Sequence, residues 1–113
     1  MDYTERHTVR LPAAFEGYFT GTGVAQGTDT STPSTKAAYE AWRDAKKVRA
    51  GGSGHSWLVT GSAIALDEIR WHAQNFVAMC GPEFEHDKSE LAAARIWVRR
   101  INNVLHDWPE EDR

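Results

Sequence analysis

The sequence predicts an α+β domain, mostly helical: a C-terminal antiparallel helical hairpin plus one further helix, with two or three short N-terminal and central strands. Two observations carry this expectation. Over residues 60–108 apolar side chains recur at steps of three and four, the period of a helix that buries one seam. Ahead of that stretch, short runs rich in β-branched and aromatic residues are divided by Gly, Pro, Ser and Thr. A chain of 113 residues holds one modest core, so residues 1–113 are read as a single domain.

In chain order, residues 7–11 and 15–20 are strand candidates separated by Pro12, which suits an edge or a bend better than a ladder interior. Residues 21–35 are almost free of apolar side chains and read as a flexible Gly/Thr/Ser-rich loop. Gly21, Gly23 and Gly27 have a phosphate-loop flavour, but their spacing fits neither GxGxxG nor GxxxxGK[ST]. Ser34 or Thr35 can cap a helix over 36–48, whose stripe is Ala38, Ala41, Trp42, Ala45 and Val48. Arg43, Lys46, Lys47 and Arg49 crowd its end, where cations complement the helix dipole. Gly51, Gly52, Ser53 and Gly54 stop that helix, and residues 55–60 form a third strand candidate.

The hairpin follows over 60–108. Its first helix, capped by Thr60 or Ser62, buries Leu66, Ile69, Ala73, Phe76 and Cys80. The break falls at 81–86, and Asp87 with Glu90 offers a capping box for the second helix. That helix buries Leu91, Ala94, Val98, Ile101, Leu105 and Trp108. Antiparallel alignment sets Asp67 and Glu68 against Arg99 and Arg100 as rim ion pairs, each contributing at most about 1 kcal/mol. An acidic tail occupies 109–113.

Composition narrows the function classes. A hydrophobic share of 41% with five tryptophans belongs to a folded chain. No run approaches a membrane span, and the first residues have neither the basic nor the apolar region of a signal peptide, so a cytoplasmic protein is expected. The single cysteine, Cys80, cannot form an internal disulfide and lies on the buried stripe. Net charge of −3 argues against bulk affinity for nucleic acid, although the positive excess gathers in residues 34–60. Glu68 and His72 share a helix face without an HExxH motif, and the His86-Asp87 and His106-Asp107 dipeptides lack companion ligands. Neither metal nor cofactor is expected.

The informative feature lies off the seam. Ile64, Trp71 and Ala78 repeat by sevens on the outer side of the first hairpin helix, and Ile96 stands beside Trp97 and Ala93 on the second. A helix apolar on more than one side must be covered on more than one side. The N-terminal half offers limited cover, so Ile64, Trp71, Ile96 and Trp97 form a candidate surface for a homodimer or a protein partner. The favoured reading is a small non-enzymatic binding or regulatory protein. One alternative is a nucleic-acid-binding regulator using Arg43, Lys46, Lys47, Arg49, Arg95, Arg99 and Arg100. Another is a small enzyme with a site near His55 and Ser56, although no GxSxG elbow surrounds either Ser53 or Ser56.

Overall fold

The computed structural model describes residues 6–49, 54–79 and 88–106. Three strands, β1 (His7–Pro12), β2 (Lys46–Arg49) and β3 (His55–Gly61), form an antiparallel sheet in the order β1-β3-β2. Among the described residues five helices accompany it: α1 (Glu16–Thr20), α2 (Gly23–Gln26), α3 (Pro33–Arg43), α4 (Ala63–Met79) and α5 (Lys88–His106). α4 and α5 pack closely as the expected hairpin, α3 lies on the other flank of α4, and α5 also packs along β1. The fold is α+β and mostly helical, with α4 its central helix.

Pairing of Val9 with Val59 and Leu11 with Trp57 places one row of side chains toward the helices. The opposite row carries Thr8 beside Thr60, their hydroxyls 2.6 Å apart, and Arg10, Leu58 and Lys46 across the three strands. β3 ends where α3 and α4 converge. A Cβ on Gly61 would lie 3.2 Å from the Cβ atoms of both Ala41 and Ala65, so only glycine fits there without displacement.

The two sheet edges are closed in different ways. α5 covers β1: Trp97 Nε1 donates to the Pro12 carbonyl at 2.8 Å, and Arg100 Nη1 donates to the Arg10 carbonyl at 2.7 Å. Alternate carbonyls of an edge strand point away from the sheet, and two side chains one helical turn apart meet two of them. β2 instead presents Lys46, Lys47 and Arg49, all exposed. Charged side chains on an edge strand oppose its extension by another chain.

Four sequence expectations are corrected. Residues 15–20 are not a strand: a 3-10 turn over Ala13–Phe15 leads directly into α1. Phe15, Tyr18 and Phe19 stand at helical spacing, and a strand would have placed Gly17 on the same face as the two phenylalanines. Residues 21–35 are not a continuous loop. Thr22 caps α2 by accepting from the Ala25 amide, Val24 is buried, and Gly27, at φ 75°, ends the helix in the left-handed region.

The cap of α3 is Thr32, not Ser34 or Thr35. Thr32 and Thr35 exchange side-chain to backbone bonds in a capping box around Pro33 at the first helical position. Finally, α3 ends at Arg43, and Lys46–Arg49 is the edge strand β2. The apolar stripe does continue to Val48, but pairing of Val48 with Ser56 and Arg49 with His55 overrides that local preference. The expectations for Cys80, the break at 81–86, the Asp87 half of the capping box, Gly51 to Ser53, Trp108 and the tail at 109–113 lie outside the described residues.

The core is aromatic at its centre. Trp97 is fully buried, its ring 4.8 Å from Phe15, 5.7 Å from Phe19 and 5.8 Å from Trp42. Around it lie Leu11, Val59, Leu66, Ile69 and Ile101, none of them reached by solvent. Because residues 13–26 coil into helical turns, Phe15, Phe19 and Val24 all point inward, giving the N-terminal layer more depth than strand and loop would.

Candidate functional site

α4 touches α3 on one flank and α5 on the other, leaving a single outward strip. On that strip Ile64, Asp67, Trp71, Gln74 and Ala78 are all exposed. Their steps of three, four, three and four make a second heptad stripe, with apolar residues at every seventh place and polar ones between. Ile64 is 44% exposed, while Trp71 and Met79 are each 55% exposed. No other large apolar side chain among the described residues is as open.

A groove of about 660 Å³ opens beside Ile64, bounded by Ser34 from α3, Arg70 from α4, and Asn102, Leu105 and His106 from α5. Arg70 fixes its wall: Nη1 donates to Asn102 Oδ1 at 2.7 Å and Nη2 pairs with Asp67 one turn earlier. This arrangement replaces the expected pairing of Asp67 and Glu68 with Arg99 and Arg100. Arg100 is occupied with the β1 backbone, and the bond between α4 and α5 runs through Arg70 and Asn102 instead.

His72 and Glu68, both half-buried, border the strip. The His72 ring meets Trp71 edge-on at 5.1 Å and Phe19 at 5.6 Å, and its Nε2 is buried without a hydrogen-bond partner. Burial lowers the His72 pKa below its usual value, with Asp29 partly opposing. The Glu68 carboxyl is pushed up, first by burial and then by Asp67 and Asp29. Each shift disfavours the charged form of its side chain.

The structure divides the four residues of the sequence-predicted surface. Ile64 and Trp71 share the α4 strip, Ile96 is half-buried on α5, and Trp97 is removed from the surface altogether. The correction for Trp97 has a plain cause: the turns of residues 13–26 bring Phe15 and Phe19 over it, and the Pro12 carbonyl takes its indole proton. Met79 was missed because it lies one residue from the sevenfold repeat. Its signal is its place next to Ala78 at the end of the same strip.

The seven candidate nucleic-acid residues are distributed over three elements, the end of α3, β2 and α5. Lys46, Lys47 and Arg49 belong to the β2 edge, and Arg43 is paired with Asp44 at 3.1 Å in solvent. Arg95 and Arg99 are exposed on α5. Arg10, which the sequence reading did not single out, connects two of the others. It donates through Nη2 to the Arg49 carbonyl at 2.9 Å and receives Arg100 on its own carbonyl.

His55 and Ser56 are adjacent residues of β3, so their side chains leave opposite faces of the sheet and cannot share a proton directly. His55 Nε2 lies 3.6 Å from Glu16 Oε2, and that carboxylate also accepts from Trp57 Nε1. Ser56, 5% exposed, lies between Pro12 and Val48 on the other face. Among the described residues no three His, Cys, Asp or Glu side chains are grouped as metal ligands, and no helix is long and apolar enough to cross a membrane. Comparison with protein-family models, with curated proteins and with solved structures gives no match to this chain.

Proposed function

We propose that this is a small, non-enzymatic binding protein of the cytoplasm that works through the outward strip of α4, where a protein partner covers Ile64, Trp71, Ala78 and Met79. The observation that carries the reading is Trp71, held 55% exposed on the central helix while Trp97 is sealed in the core. A tryptophan side chain offers about 150–250 Å² for burial, so the open part of Trp71 is roughly 100 Å². At about 25 cal/mol per Å², covering it contributes on the order of 2.5 kcal/mol to an association. Exposed tryptophan flanked by isoleucine and methionine, with charge confined to the intervening positions, is the composition of an interface centre.

The test places a photoreactive phenylalanine analogue at position 71 in the native host, with the same probe at Arg99 on α5 as control. A protein adduct formed at 71 and absent at 99 is the expected result. Equal labelling at the two positions, or none at 71, contradicts the reading.

A further inference from the structure

We infer that the partner seated on α4 is a second copy of this chain, packed antiparallel about a two-fold axis through Trp71. The inference rests on the docking reading above and adds both occupant and register.

The stripe is complementary to itself in one direction only. With the axis through Trp71, antiparallel packing sets the large Ile64 against the small Ala78 of the second copy. It also sets Asp67 and Glu68 against Gln74 and Asn75, whose amide groups donate to carboxylates. Each favourable match occurs twice by symmetry. Parallel packing sets Asp67 against Asp67, each softened by its own Arg70, and Glu68 against Glu68, with like charges opposed at the only acidic positions of the helix. It also sets Ile64 on Ile64 and Ala78 on Ala78, which crowds one end of the strip and leaves a gap at the other.

The groove beside Ile64 supplies the second argument. In the antiparallel arrangement Met79 of the second copy arrives at this end of α4, where the groove of about 660 Å³ lies between Ser34 and Leu105. Methionine is unbranched and adapts to an irregular recess. The features left open on one copy, a projecting Met79 and a recess near Ile64, answer each other at both ends of the helix.

Two measurements test this. In sedimentation, the wild type is expected to shift from monomer to dimer as concentration rises to the millimolar range, and Trp71→Glu is expected to remain monomeric with an unchanged circular dichroism spectrum. For register, Ile64→Cys and Ala78→Cys are made separately in a Cys80→Ala background and joined with a short bis-maleimide. The two positions lie about 21 Å apart along one helix, so a short linker distinguishes the arrangements. Linking of 64 to 78 in the mixture, with no 64–64 or 78–78 product, is expected. Products at 64–64 and 78–78 overturn the antiparallel register. A monomeric wild type at every concentration overturns the second copy as occupant; if the photoreactive probe at 71 then captures a different protein, the docking reading stands without it.

Discussion

Trp71 and Trp97 are both hairpin tryptophans, yet alanine at the two positions should give opposite results. Trp97→Ala removes a side chain with no solvent exposure that touches Phe15, Phe19 and Trp42. Truncations of this kind cost about 3–5 kcal/mol, because neighbouring rings relax only partly into the vacated space. The substitution also takes the donor from the Pro12 carbonyl, adding about 1 kcal/mol or more where water cannot replace it. Against a total stability of about 5–15 kcal/mol, that loss leaves the chain marginal. Trp71→Ala removes a side chain that is already more than half in water, and alanine's helix propensity offsets part of the lost contact with His72, so the cost is about 1 kcal/mol or less. Urea unfolding of dilute protein, followed by circular dichroism at 222 nm, measures both. Comparable losses for the two variants, or a loss below about 2 kcal/mol for Trp97→Ala, would refute the assignment of one tryptophan to the core and the other to a surface.

Three further outcomes follow from particular contacts. Gly27→Ala should lower the thermal midpoint, since φ 75° is strained for alanine and its Cβ would lie 2.9 Å from the Tyr39 ring; a cost of about 1–3 kcal/mol is expected, and an unchanged midpoint would remove the left-handed cap from the account of α2. Thr32→Ala should cost about 1 kcal/mol by opening the α3 capping box, whereas Ser34→Ala should cost less, which urea midpoints would resolve. The third concerns pH. The folded pKa of His72 is lowered from 6.5, so the unfolded chain takes up the proton first and stability falls as pH drops through 6.5 toward the folded value. Glu68, raised from 4.5, works the other way, since the folded chain takes up its proton first. His72→Gln should therefore flatten the decline in urea midpoint on acidification through pH 6.5, and Glu68→Gln should remove a gain that is complete only below pH 4.5. The reverse order would contradict the burial assigned to these groups.

The hairpin was legible because its period is long and sustained: Leu66, Ile69, Ala73 and Phe76 on one helix, and Ala94, Ile101 and Leu105 on the other, are buried as their spacing requires. The strands β1 and β3 were legible from short runs of β-favouring residues. β2 was hidden by Lys46 and Lys47, whose place beside Arg43 mimics a helix terminus and whose strand state is set by their partners Leu58 and Trp57 on β3, far beyond the reach of a local helical pattern. The turns at 13–26 were hidden for a different reason. α1 and α2 are each a single turn or little more, too short for a repeating period, and their signals are local: Thr22 as a cap, Gly27 as a stop, and Phe15 with Phe19 one turn apart.

That hidden layer decided the candidate site. The sequence identified a helical pair apolar on more than one side, and the outer α4 side, with Ile64 and Trp71, is left exposed among the described residues. It could not show that the α5 side is covered, because the cover is made by Phe15 and Phe19, and those residues face inward only once their segment coils. The basic residues illustrate a related limit. Arg43, Lys46, Lys47 and Arg49 are neighbours in sequence, but Arg43 ends α3 and the other three lie on the edge strand β2.

The most direct measurement is the solvent isotope effect on fluorine resonances of the chain labelled with 5-fluorotryptophan, assigned by single Trp→Phe variants and recorded over a wide range of protein concentration. Trp97 should show no shift between H2O and D2O at any concentration. Trp71 should show a large shift in dilute solution that shrinks as the second copy covers it. A Trp97 that responds to solvent, or a Trp71 whose response stays constant to millimolar protein, would contradict the partition between sealed core and self-docking surface.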